Sequence, residues 1–340
     1  MLPLTTANPA AWAPFSSPYR YSYAAVLAAV AVGLLAPGLA GWLLGPVLLA
    51  GMLLLGVAHG ACDQFVVPAT HPALARDKIR YWARFLVGYL GLAAAVVALW
   101  WWQPGPTLAM FFALTAWHWG SADAPVLATR QRGQWVAHSL LRGGLLFALP
   151  LAYWPAETQG IVSGLLGLVG TPLADASALG TVAGPLGVAV GAGHLLLWAR
   201  YVQQGQADRV RTDLGEVLLL VVLLLVLPPV LSATVYFVFW HSLQHVLRMN
   251  RLMELPAAGR PRGVGAEVRL FLRRAAPLLL ISVAGLAVLY GLALARAASG
   301  TVLVSLALLA ASVVTLPHAL LVTLGMDAPR WRQKALSGQE

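Results

Sequence analysis

Residues 276–294 read Ala-Pro-Leu-Leu-Leu-Ile-Ser-Val-Ala-Gly-Leu-Ala-Val-Leu-Tyr-Gly-Leu-Ala-Leu, without one charged side chain. A helix rises about 1.5 Å per residue, so this stretch nearly matches the ~30 Å hydrocarbon core of a bilayer. Similar apolar runs recur along the chain, separated by Pro, Gly and charged residues. They predict an all-α, polytopic transmembrane helix bundle of about ten spans. The expected helices are roughly Tyr23–Leu35, Leu39–Cys62, Phe85–Trp102, Thr107–Ala122, Trp135–Trp154, Ala178–Tyr201, Leu214–Leu227, Val230–Met249, Ala276–Leu294 and Val302–Gly325. Gly160 to Gly170 is apolar but short for a span, and is expected to form a re-entrant or interfacial turn. Asn250 to Arg274 is the longest polar stretch and reads as a loop or surface helix.

Composition points the same way. Of 340 residues, 59% are hydrophobic and 10% charged, and the mean hydropathy is +0.76. A soluble fold needs polar cover that this chain lacks, whereas lipid removes the requirement. The formal net charge is +10. The basic residues fall between apolar runs and not along a stripe, so a membrane topology signal accounts for them and nucleic-acid binding is not expected. Cys62 is the one cysteine, which excludes an intrachain disulfide and leaves thiolate metal ligation without support. Arg20 alone precedes the first apolar run, which therefore reads as a retained helix rather than a signal peptide.

Orientation follows from the basic loops. Arg76, Lys78, Arg80 and Arg84 follow the second helix, and Arg130 and Arg132 the fourth. Arg200, Arg209 and Arg211 follow the sixth. Seven arginines from Arg248 to Arg274 follow the eighth, and Arg330, Arg332 and Lys334 the tenth. The opposite loops hold almost none, Arg296 being the exception. Even-numbered helices then end in the cytoplasm and both termini lie there, in a multi-pass protein of the cell membrane. Residues 1–22 form an N-terminal cytoplasmic segment, 23–325 a transmembrane catalytic bundle, and 326–340 a C-terminal cytoplasmic tail.

Ionisable groups inside membrane helices are costly, and by default they mark function. Five of the eight histidines sit in polar clusters: His59, His118, His241, His245 and His318. All five fall on even-numbered helices, in the half nearer the cytoplasm. This is independent of the Arg and Lys count that set the topology. His241 and His245 are four apart, so both rings leave one helix face. The pair suits two ligands to one metal, and it equally suits two histidines bonded to neighbouring helices. Imidazole ligands take zinc, copper, iron or nickel. Asp63 follows His59 by four residues and Asp123 follows His118 by five. Each carboxylate is placed either to hold an imidazole N–H or to face the headgroups. Gly56, Gly60 and Gly120 permit close helix approach. His194 is an additional candidate at similar depth, His138 reads as a satisfied core residue, and His71 as solvated. Trp117, Trp119, Tyr236, Phe239 and Trp240 flank the clusters. They either line a cavity for a flat apolar substrate or form an interfacial aromatic belt.

The ordered set His59-Gly60-Ala61-Cys62-Asp63, His118-Trp119-Gly120-Ser121-Ala122-Asp123, Trp240-His241-Ser242-Leu243-Gln244-His245 and Pro317-His318 resembles the Brp/Blh family of membrane β-carotene 15,15′-dioxygenases. The resemblance runs from about Gly56 to Gly325. It implies a non-haem Fe(II) held by His59, His118, His241 and His245, with His318 in support. It implies cleavage of β-carotene from the lipid phase by O₂ into two retinal molecules, with a retinal-accepting opsin as a downstream partner. Members of that family often carry a histidine directly after the aspartate of the first motif, where this chain has Gln64. Without the resemblance, the histidines would suit a transporter or lipid-binding protein in which they relay protons or bridge helices. A membrane desaturase or hydroxylase is disfavoured, since such diiron sites usually cluster eight or more histidines.

Overall fold

The computed structural model describes residues 19–124, 132–171, 177–254, 263–328 and 331. Most of the expected N-terminal segment and C-terminal tail lies outside these residues, as do Arg130, Arg260, Arg262, Arg330, Arg332 and Lys334. Eleven helices of 14 residues or more, a four-residue 3₁₀ turn (Pro72–Ala75) and no strands occur among the described residues. They are α1 (Tyr19–Leu35), α2 (Pro37–Thr70), α3 (Lys78–Trp102), α4 (Pro104–Asp123), α5 (Arg132–Tyr153), α6 (Pro155–Leu168), α7 (Ser177–Gln203), α8 (Ala207–Val226), α9 (229–254), α10 (Val264–Ala295) and α11 (Gly300–Met326).

Local chemistry sets many of the boundaries. Pro37, Pro104, Pro155 and Pro229 open helices, where a missing N–H costs nothing. Asp77 caps α3 by accepting from the Arg80 amide at 3.0 Å. Gly170 and Gly205, at φ +75° and +70°, close α6 and α7 in the left-handed conformation. There the amides of Thr171 and Gln206 reach back to the carbonyls of Leu166 and Tyr201.

Six helices are long and apolar enough to cross a membrane: α2, α3, α5, α7, α10 and α11. Exposed Leu280, Ile281, Leu289 and Leu292 cover the outside of α10. Such a surface suits lipid rather than water. This is a multi-pass membrane protein.

Each of the ten expected apolar runs lies in a helix, and three helices start well before their run, α3 among them at Lys78. α10 begins at Val264, inside the stretch expected to be a loop or surface helix. Its first turns are held by Phe271 and Ala275, buried against α2 and α9, and by Glu267, which accepts from Asn250 at 2.8 Å. α8 begins at Ala207 with exposed charges such as the Asp208–Arg211 pair. The Gly160–Gly170 segment forms a helix of 14 residues, α6, rather than a turn. At about 21 Å it is shorter than the hydrocarbon core. Its Gly164 packs on Ser305 of α11, where a Cβ would reach Oγ.

α5 is the most enclosed candidate span, with half of its apolar window buried. It meets α4 backbone to backbone. A Cβ on Gly120 would strike the Ser139 carbonyl, and one on Gly143 the Ala116 carbonyl. Arg142 of α5 is fully buried and pairs with Asp213 at 2.5 Å and Glu216 at 2.8 Å, both on α8. Tyr23 of α1 donates to Glu216 at 2.6 Å, and Trp198 of α7 to Asp213 at 2.6 Å. One cation thus joins four helices where lipid offers no competing hydrogen bonds.

Candidate metal centre

Four helices bring five imidazoles together: His59 from α2, His118 from α4, His241 and His245 from α9, and His318 from α11. All are 8% exposed or less. Three of these helices leave α geometry near their histidine. π turns cover Met52–Val57 just before His59, Tyr236–Ser242 around His241, and Val322–Met326 after His318. A π turn adds about one residue to a helical turn and re-aims the side chains beyond it. α4 stays regular, and its Gly120 contact with α5 places His118.

The ring nitrogens of His59, His118 and His241 include one atom each that all lie within 4.8 Å of one another. His118 Nε2 and His241 Nε2 stand 3.2 Å apart. His59 donates Nδ1–H to the Gly56 carbonyl at 2.5 Å, so its Nε2 keeps the lone pair. His241 and His245 stack at 6.3 Å between centroids with planes 22° apart, as their shared helix face requires. His318 lies 4.8 Å from both His59 and His118, and 5.3 Å from His245. Five buried ring nitrogens of this group have no protein hydrogen-bond partner: Nδ1 of His118, Nδ1 of His241, both nitrogens of His245, and Nε2 of His318.

The two aspartates do not serve the histidines that precede them in sequence. Asp63 accepts from His318 Nδ1 at 2.8 Å and from the Tyr89 hydroxyl at 3.1 Å. The Gly56 carbonyl has taken the Nδ1–H of His59, so the first of the two roles left open for Asp63 is met on His318 instead. Asp123 accepts from the Tyr236 hydroxyl at 2.8 Å, tying α4 to α9 beside the His118–His241 contact. Both are buried and neither faces headgroups. Gln64 turns back to the Ala61 carbonyl at 3.1 Å.

Of the five expected aromatics, Trp119 is the one with a ring contact to a cluster histidine among the described residues, 6.0 Å from His241. Tyr236 stands behind it at 5.2 Å. Trp240 packs on Tyr23, Phe239 lies in the surrounding core, and Trp117 packs on Trp135 and Trp331. Phe237 was missed. It lies 5.3 Å from His59 and nearly parallel to His241 at 5.9 Å. Its position four residues before His241 was the available signal. His194 is held by the Val190 carbonyl and Trp198, apart from the cluster. His138 sits between Tyr201 and Asp213, and His71 bonds the Thr70 hydroxyl.

A family profile described as beta-carotene 15,15'-dioxygenase matches residues 50–326, well over half the chain. All five clustered histidines fall within the match. A relative in Halobacterium salinarum, named probable beta-carotene 15,15'-dioxygenase Blh, is 31% identical over 262 residues, covering 71% of this chain and 75% of the relative. No solved structure matches the chain. The chain belongs to the β-carotene 15,15′-dioxygenase family and is an enzyme, not a transporter.

Proposed function

We propose that the chain cleaves β-carotene at its central 15,15′ double bond with O₂ into two retinal molecules, using a ferrous ion held by His59, His118, His241 and His245. The observation that carries this reading is the 3.2 Å approach of His118 and His241 beside His59. Two ligands each ~2.1 Å from one ion stand about 3.0–3.4 Å apart at octahedral or tetrahedral angles. The donor set fits as well: an all-imidazole group of borderline softness, in which neither nitrogen of His245 has a protein partner. A ferrous ion held there would supply the dioxygen chemistry that the side chains lack. The reaction exchanges one C=C for two C=O, both oxygens coming from O₂, so no proton must be moved and no general base is needed.

The chain's own residues bind, orient and exclude water. Phe237 and Trp119 offer flat apolar faces beside the histidines, where a polyene can lie; Tyr236 backs Trp119, and Trp240 backs Tyr236. Asp63 and Asp123 hold the frame through His318 and Tyr236. On this reading all ten apolar helices of the 23–325 bundle cross the cell membrane, α6 does not, and both termini, with the 1–22 segment and the 326–340 tail, are cytoplasmic. The gathering of histidines from α2, α4, α9 and α11 at one level supports it. Carotenoid then arrives sideways from lipid, and the retinal released suits an opsin.

The test is expression in a host that accumulates β-carotene, with retinal quantified by chromatography. Two retinals should appear per carotene lost, and His118→Ala or His241→Ala should abolish them while the protein still inserts. Colour loss without retinal, or full activity in both variants, defeats the proposal.

A further inference from the structure

We propose that His318 supplies an additional imidazole to the metal centre, held ready to donate by Asp63 and Tyr89. The inference rests on the metal reading above but extends it to a residue cast there only as support. The two nitrogens of His318 have different surroundings. Nδ1 lies 2.8 Å and 2.9 Å from the two carboxylate oxygens of Asp63. An ionised carboxylate only accepts, so the shared proton belongs to Nδ1 and the lone pair to Nε2. That Nε2 is buried and has no protein partner. The ring stands nearly perpendicular to those of His59 and His118, at 87° and 82°, with centroids 4.8 Å away. Rings crossing in this way can point nitrogens at a common centre without stacking.

A purely structural role explains less. The Asp63–His318 bond does tie α2 to α11, but an amide or hydroxyl would do so without leaving a basic nitrogen unsatisfied among other imidazoles. Charge adds a second reason. Neutral imidazoles leave the full charge of a divalent ion in place. Asp63 is 1% exposed and, among the described residues, is the carboxylate that bonds a histidine of this cluster. Through the imidazole it makes Nε2 more basic and offsets part of the ion's charge. Tyr89 donates to the same carboxylate and fixes its rotamer.

The experiment titrates purified, metal-free full-length protein with ferrous iron under anaerobic conditions. Affinity is read from the titration, and imidazole ligands are counted by X-ray absorption. Asp63→Asn keeps an acceptor for Nδ1 but removes the charge, and should weaken iron binding by about 10–100-fold with the ligand count unchanged. His318→Ala should weaken it further and lose one imidazole from the count. Tyr89→Phe should weaken binding less than Asp63→Asn. An unaltered count and affinity in His318→Ala overturn the inference, and so does wild-type affinity in Asp63→Asn. If His318→Ala fails to insert, Asp63→Asn and Tyr89→Phe decide. Wild-type protein that makes retinal but shows no response to these variants refutes this inference alone. Wild-type protein that takes up no iron refutes the metal reading with it.

Discussion

Replacing Gly120 by Ala should disable the site without touching any proposed ligand. Gly120 lies two residues after His118, where α4 and α5 are in backbone contact. A Cβ built there collides with the Ser139 carbonyl oxygen and comes to 2.8 Å from the Ser139 carbonyl carbon and from the Gly143 nitrogen. A relaxed carbon–oxygen contact is about 3.3 Å or more, so α4 must move off α5 by more than about 1 Å. Backbone atoms cannot step aside as a flexible side chain can. The displaced helix carries His118, whose Nε2 is 3.2 Å from that of His241. Misplacement of about 1 Å in a reacting constellation costs on the order of 10²-fold in rate. Retinal formation per inserted protein should therefore fall by about 100-fold, with a parallel loss of bound iron. Gly91→Ala on α3, where a Cβ meets nothing within 4 Å, should be silent. Gly143→Ala should reproduce the defect from the other side. The double variant should be less harmful than the two losses combined, because helices already parted have room for the second methyl. A Gly120→Ala protein with activity within about twofold of the parent would show that the α4–α5 approach does not position His118.

Arg142→Met should lower stability by about 3–5 kcal/mol, since Asp213 and Glu216 would be left buried without their cation. Thermal unfolding in detergent measures this, and the triple variant Arg142→Met/Asp213→Asn/Glu216→Gln should recover most of it. Phe237→Ala should raise KM for carotene by about three- to tenfold, while bound iron stays at the parental level, because the ring flanks His59 and His241 without donating to an ion. Tyr236→Phe should cost about 1–3 kcal/mol by leaving buried Asp123 short of a donor. Unchanged unfolding of that variant would show that the bond does not join α4 to α9.

The apolar helices were legible because lipid selects on composition, and a run such as 276–294 advertises itself. The helix ends outside lipid were not. The first turns of α8 and α10 are polar and are fixed by partners such as Asn250 that no local window contains. That the five histidines belong together could be read from their polar clusters, because position along a helix is a one-dimensional quantity written along the chain. Which histidine faces which is lateral information, and it depends on π turns that no residue pattern announced. For that reason spacing could offer Asp63 only His59 or the headgroups, and it is found on His318, 255 positions away in sequence. Phe237 could have been found from its i−4 relation to His241. Arg142 stood visible as a charge in the middle of an apolar run, but its partners lie 71 and 74 residues on.

Two of the buried polar groups among the described residues, those around Arg142 and His118, contrast in a way that separates scaffold from site. Around Arg142, charge is answered within the chain: a guanidinium meets two carboxylates, which also take a phenol and an indole. Such a cluster fastens α1, α5, α7 and α8 through Nη2 of Arg142, although its Nε and Nη1 have no partner. Around His118, the one carboxylate bonded to a cluster histidine among the described residues is Asp63, and nitrogens of four rings are unanswered. In an apolar medium both arrangements are expensive, and only the first repays its cost in intramolecular bonds. The second becomes favourable when something electron-poor is added from outside the chain. Asp63 and Gly56 have already taken the outward N–H groups of His318 and His59 and turned the remaining nitrogens inward, which is the preparation a cation requires and a helix tie does not.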